Sequence, residues 1–189
     1  SDLHSVGSPV MKELVHVHLG QCGVQNGAKY WDYAAQEFGI KEDGQLAGAA
    51  SERVDALFSN LEGRHVPRAV LADTDTGRME YVRSSRCGSL FRPENVITGE
   101  DGGLKNNWAK GFHGEEFAGR VLDAIRKETE RCDCLEGFQL LHSLGGGTGA
   151  GMGSLLIKKL REEFSDKAFT SVSIFPSAKV SDTIVEPYN

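Results

Sequence analysis

The chain has 189 residues, 39% of them hydrophobic and 25% charged, the composition of one folded domain with its own core. Its net charge of −6 offers no basic field for nucleic acid or an anionic membrane, and no apolar run approaches the roughly 20 residues that span a bilayer. With 4 cysteines there are too few for a disulfide scaffold, so a reducing, intracellular setting is expected.

Residues 1–10, SDLHSVGSPV, are small and polar and read as a flexible extension; they lack the positive start and apolar core of a secretory signal. In ELVHVHL, Glu13–Leu19, Val15, Val17 and Leu19 alternate with Leu14, His16 and His18, which predicts a strand. His16 and His18 share a face, either as packed, hydrogen-bonded side chains or as two ligands of a metal. The chain then turns through 20–23, GQCG. A helix follows to about Phe38, with Ala28, Trp31, Ala35 and Phe38 as its buried stripe and Gly39 as its stop. Residues 40–63 are glycine-interrupted and read as a surface excursion with a short helix at 51–57. VPRAVLAD, 66–73, is a second strand ending in an acidic loop, 73–77.

Segment 78–91 suits a short helix or turn, 95–98 a short strand, and 99–111 a loop by composition. Residues 115–131 are a helix with Phe117, Val121, Leu122 and Ile125 on one face. Glu115 and Glu116 open it and Lys127 and Arg131 lie near its end, as its dipole favours. FQLLHSL, 138–144, is a strand. The glycine run 145–151 follows, then a helix at 149–164, a strand at 168–175, and a loop over 176–189. Strands thus alternate with helices, which predicts an α/β, Rossmann-like domain: a parallel sheet with helices on both faces. Ligands of such sheets bind in the crevice at the carboxyl ends of the strands. The loops 20–23, 73–77 and 145–151 leave those ends, and 99–111 joins them if 95–98 is a strand.

The chain holds 23 glycines, well above the usual ~7%, and their clustering is informative. Phosphate needs backbone N–H groups at close range, and closeness needs residues without Cβ. GGGTGAG at 145–151 meets that need, with the following helix adding a positive dipole end. Thr148 is placed to cap that helix or to bond a phosphate oxygen, and Ser143 adds a second hydroxyl. The same glycines would also serve tight strand–helix packing. A Walker loop is excluded because no Lys follows the last Gly, and the dinucleotide fingerprint is excluded because the first turn is GQCG.

A phosphate site without that Lys must balance charge by helix ends and a divalent cation. Asp73 and Asp75 are the candidate magnesium-side acids, through waters, or else part of a solvated acidic turn. Gln21, Cys22 and Gln25 lie on the same edge, facing phosphate, base or ribose. Asn106 and Asn107 suit either ligand contacts or a helix cap. Cys132 and Cys134 form C-x-C with no partner pair at zinc spacing, so two helix-end thiols are expected. A metal-dependent hydrolase built on Asp73 and Asp75 would need a nucleophile and base that no pattern supplies.

The segment 143–153, SLGGGTGAGMG, closely resembles the tubulin signature. MKELVHVHLGQCG, VPRAVLAD, FRPENVITG, NNWAKG, CDCLEGFQLLHSLGGGTG and PSAKVSDTIVEPYN match that family in order, from Met11 to Asn189. FRPEN, NNWAKG, CDCLEGFQL and GMGSLL are β-like. The resemblance implies a GTP-binding domain, 11–189, of the tubulin and bacterial-division-GTPase fold. It implies GTP or GDP with Mg2+, assembly with α-tubulin into microtubules of the cytoplasmic cytoskeleton, and tubulin-folding chaperones as further partners. Nucleic acid and membrane are not among the expected partners.

By position, the resemblance implies nucleotide contacts for Gln21, Cys22 and Gln25, with Gln25 near the base. It implies the same for Asn106, and phosphate contacts for Ser143, Gly146, Gly147, Thr148 and Gly149. Asp182 and Glu186 match a loop near the ribose. Asp75 stands where the family has a magnesium-associated Glu, with the charge kept and the reach shortened. The sequence departs from the family at Val24 and Asn26, beside the base pocket, and in a 99–107 loop one residue longer. The guanine-reading Asn positions, the intermediate domain and the acidic tail lie beyond the matched part. In the family, hydrolysis also needs an acid from the next subunit. The chain is therefore expected to carry a phosphate and metal half-site, either as a nucleotide-binding piece of a microtubule protein or as an interaction module that binds tubulin or a chaperone without GTP.

Overall fold

The computed structural model describes residues 11–48, 53–99, 102–177, 179, 181 and 185–189. The first strand, β1, runs Glu13–Leu19, and the first helix, α1, follows at once over Gly20–Glu37. The GQCG segment is thus the first turn of the helix rather than a loop ahead of it. Gly20 makes the abrupt junction at φ +72°, a left-handed value that glycine adopts without cost.

A short helix, α2 (Val54–Leu57), leads into a hairpin that sequence patterning does not reveal, β2 (Phe58–Leu61) with β3 (Arg64–Pro67). Val66 and Pro67 belong to that hairpin, so the second sheet strand, β4, is only Ala69–Asp73. Helix α3 is Met79–Arg83 and β5 is Val96–Thr98. Part of the expected 99–111 loop is helical, as α4 (Trp108–Phe112). Helix α5 (Glu115–Thr129) and strand β6 (Leu135–Ser143) come next. A π-helical turn, Gly147–Met152, runs into α6 (Gly153–Glu163), and β7 (Ala168–Ile174) closes the sheet.

The sheet order is β5-β4-β1-β6-β7, every pair parallel. It is an α/β, Rossmann-like arrangement with helices on both faces, as the alternating pattern predicts. Period-two alternation sorts the side chains. Val15, Val17, Val70, Ala72 and Leu140 face α5 and α6, where Val121, Ile125, Leu156 and Leu160 complete one core. Ala69 and Leu71 face the other way, against Val24, Ala28, Trp31 and Met79 of α1 and α3. His16 and His18 share that second face. Trp31 Nε1 donates to His18 Nε2 at 2.9 Å, so the His18 proton sits on Nδ1. Burial lowers His16 to a pKa of about 4 and His18 to about 3, so both are neutral packed rings. Among the described residues no three His, Cys, Asp or Glu side chains are grouped to hold a metal.

The amino edge of the sheet is closed by buried charge. Arg68 forms an ion pair with Glu13, and Glu13 Oε2 accepts the Cys134 N–H at 2.7 Å, tying β1, β4 and β6 together. Glu128 accepts from Asn95 Nδ2 at 2.8 Å and pairs with Arg131 at 3.2 Å. The Cys132 thiol lies 3.6 Å from the Arg68 guanidinium, and desolvation pushes it up to about 11. Both thiols of the C-x-C are free. No described helix is long and apolar enough to cross a membrane.

Candidate functional site at the carboxyl edge

An open cleft of about 940 Å3 lies over the carboxyl ends of the strands. The start of α1 supplies Gln21, Cys22 and Gln25. The end of β4 supplies Asp73, Thr74 and Asp75. The loop after β5 supplies Lys105 and Asn106, and the end of β6 brings Ser143 and residues 145–149 of the glycine run. Glu186 reaches the rim from a short 3-10 turn, Glu186–Tyr188. Every expected site residue that is described therefore lines one cleft; Asp182 lies outside the described residues. The weak strand at 95–98 is real, so all four expected loops converge here.

The glycines of the run divide by what a Cβ would meet. A methyl on Gly147 would lie 2.8 Å from Leu104 Cβ and 2.9 Å from the Asn107 N, and one on Gly151 would lie 2.1 Å from the Trp108 O. Those two glycines let α4 pack on the turn. A methyl on Gly146 meets only Asn106 Oδ1, at 3.5 Å, so Gly146 faces the cleft. Tight packing and an open cradle are thus both present, at different positions. The turn is π-helical and opens with Gly146 in extended conformation and no side-chain cap. Thr148 does not cap it. Its Oγ1 instead shares a 2.7 Å hydrogen bond with Thr74 Oγ1, joining the end of β4 to the turn. The N-terminal end of the dipole of the turn and α6 meets the cleft, where an anion is favoured.

The two asparagines separate in role. Asn107 is the cap of α4, with Oδ1 accepting from the Lys110 N–H at 2.9 Å. Asn106 lines the cleft at φ +56°. Asn189 clasps this region: its Nδ2 donates to the Asn106 O at 2.7 Å and to the Gly145 O at 3.0 Å, and its Oδ1 accepts from the Trp108 N–H at 3.3 Å. Val24, expected beside the base pocket, is fully buried in the α1 core and does not line the cleft. Asn26 does line it, donating to the Cys22 O at 2.8 Å. Burial, partly offset by Asn26, raises the Cys22 thiol above its ordinary value, which keeps it neutral near pH 7.

Beneath the turn, His142 Nδ1 lies 2.6 Å from the Gly149 O, and its Nε2 lies 3.0 Å from Ser171 Oγ and 2.9 Å from Ser173 Oγ. The short contact to a carbonyl makes Nδ1 the donor and leaves Nε2 as the acceptor of a serine hydroxyl, the two serine Oγ atoms also lying 2.7 Å apart. Asp73 is buried and its Oδ1 accepts the Asp75 N–H at 3.2 Å; Asp75 Oδ1 accepts the Gly77 N–H at 3.0 Å. Thr74, His142 and Asn189 escape sequence reading because each bonds residues distant in the chain.

Comparison with known proteins agrees with this geometry. Residues 13–189 match the Tubulin/FtsZ family, GTPase domain. The chain is similar to the tubulin beta-3 chain of Echinococcus multilocularis, with 54% identity over 95% of this chain and 42% of that protein. It is similar to the tubulin beta chain of Coprinopsis cinerea, with 52% identity over 95% of this chain and 41% of that protein. It thus spans about two fifths of the length of these relatives. By the match over 13–189, together with the parallel sheet and its glycine-lined cleft, the chain belongs to the Tubulin/FtsZ family.

Proposed function

We propose that the cleft binds GTP or GDP and that the chain serves as a β-tubulin-like structural protein, assembling with α-tubulin in the microtubules of the cytoplasm. The observation that carries the reading is the convergence of four strand-end loops on the open face of the glycine turn. Phosphates sit at Gly146, Gly147, Thr148 and Gly149, where N–H groups and the helix end supply positive potential. Ser143 adds a hydroxyl. Gln21 and Cys22 contact the nucleotide from the start of α1, and Gln25 lies toward the base. Asn106 closes over the phosphates from the β5 loop, and Asp182 and Glu186 contact the ribose side.

Magnesium fits the donor set in a limited way. Asp73 and Asp75 bring two carboxylates to the cleft, and among the described residues no third His, Cys, Asp or Glu is grouped with them. That suits an ion which keeps several waters and takes its remaining ligands from phosphate. When bound, it would offset the phosphate charge. Hydrolysis in this reading waits on an acid from a neighbouring subunit. The test is to purify the 189-residue chain with magnesium and measure bound nucleotide and the thermal shift at millimolar GTP. Retained guanine nucleotide or a clear upward shift supports the reading; neither, with α-tubulin still captured, favours a nucleotide-free interaction module.

A further inference from the structure

Three carboxylates, Asp73, Asp75 and Glu186, line the cleft, against a single cationic side chain among its described lining residues, Lys105. Among these described side chains cations are scarce, and positive charge offered to an entering polyphosphate gains in strength as water is displaced. Lys105 is the described lining side chain that supplies it. No described residue pairs with its ammonium group, although its neighbours Gly103, Leu104 and Asn106 are anchored. A methyl on Gly103 would lie 3.3 Å from Asp75 Cβ, Leu104 packs on Gly147, and the Asn106 O is held by Asn189.

The backbone at this position is strained. Lys105 has φ +49° and Asn106 φ +56°, two consecutive left-handed residues of which neither is glycine. Left-handed backbone at a residue with Cβ is unfavourable and persists where the surroundings over-determine it, as they do at ligand clamps. The Asn189 clasp and the packing of Leu104 provide that constraint. A lysine is the costlier choice for a left-handed position where glycine would fit without strain. What the lysine adds is charge, on a loop that meets both Asp75 and the glycine turn.

Resting on the nucleotide reading of the cleft, we infer that Lys105 is the residue by which this chain reads phosphate charge: a phosphate-directed cation that favours the triphosphate over shorter anions and supplies part of the neutralisation otherwise left to a divalent cation. Lysine suits this role because its ammonium is a compact point charge on a flexible stem, able to follow phosphate oxygens in an open cleft.

The experiment measures dissociation constants of GTP, GDP and guanosine for the unmodified chain and for Lys105→Gln, Lys105→Gly and Lys105→Arg, each with magnesium and with chelator. Circular dichroism checks that each variant is folded. Lys105→Gln is expected to weaken GTP about tenfold, GDP less, and guanosine less than about twofold. Lys105→Gly should lose GTP to a similar extent even though its backbone is relaxed, and Lys105→Arg should stay within about threefold. The loss should grow when magnesium is chelated. Equal loss for GTP and guanosine, or unchanged GTP binding in Lys105→Gln and Lys105→Gly, overturns the assignment while leaving the nucleotide reading intact. An unmodified chain that binds neither GTP nor GDP overturns both.

Discussion

The two edges of the sheet are made by the same strands and differ in almost every other respect. At the amino edge, Glu13 pairs with Arg68 and Glu128 accepts from Asn95, all four residues buried, so the charges have partners. At the carboxyl edge Asp73, Asp75, Glu186, Lys105 and the glycine turn surround an open cleft. The difference teaches where each kind of free energy resides. Desolvated charge at the amino edge is tolerable because it is paired, and the pairing locks the strands in register. The carboxyl edge keeps polar groups facing solvent, where a ligand of opposite pattern can meet them.

The comparison is broken most sharply by Arg68→Ala. It leaves Glu13 buried without its guanidinium and is expected to destabilise the chain by about 3–4 kcal/mol in urea unfolding. GTP affinity measured on the remaining folded fraction should be unchanged. A variant that stays stable but loses GTP would show that the two edges are coupled.

Acid probes the layer between the edges. His16 and His18 have folded pKa values of about 4 and about 3, below an unfolded value near 6.5. Their contribution is present above about pH 6.5 and is lost as pH falls toward the folded values, because the unfolded chain binds protons first. Between pH 7.5 and 5.5 stability should fall by about 1.4 kcal/mol for each histidine. His142, also lowered by burial, shifts stability in the same direction. A flat stability profile over that range would contradict the buried neutral pair.

Two alanine substitutions in the turn sharpen the contrast within the carboxyl edge. Gly147→Ala drives a methyl into Leu104 and the Asn107 backbone and should cost about 2 kcal/mol. Gly146→Ala meets only Asn106 Oδ1 and should change stability by less than about 0.5 kcal/mol, while lowering GTP affinity because the methyl narrows the cradle. Equal effects of the two on stability would mean that the turn is one packing unit. A modest shift in affinity is expected from Asn189→Ala. It removes the clasp between the Asn106 loop and Gly145, costing about 1 kcal/mol of stability and weakening GTP a few-fold, as measured by calorimetric titration.

Much of this was written in local pattern. The alternation of Val15, Val17 and Leu19 specifies β1, the stripe through Val121 and Ile125 specifies α5, and strand–helix alternation specifies a parallel sheet with its cleft at the carboxyl edge. Glycine density at 145–151 marks the turn that lines the cleft, because closeness to an anion or to a helix is a property of missing side chains. These features depend on neighbours a few residues apart, which is the range at which periodicity carries information.

Tertiary structure decided which glycine serves which purpose, since Gly147 and Gly146 differ only in what lies across from them. It decided that Thr148 bonds Thr74 rather than capping a helix, that Val24 points into the core, and that Asn107 caps while Asn106 faces the cleft. It also set Lys105 as the lone described cation among three acids and Asn189 as the clasp of two loops. Each of these depends on a partner far along the chain or on another element of the fold, and no local pattern encodes the choice of such a partner. The sequence by itself determined the sheet strands, their main flanking helices and the edge at which the cleft opens; packing determined the β2–β3 hairpin, α4 and which side chains meet at that edge.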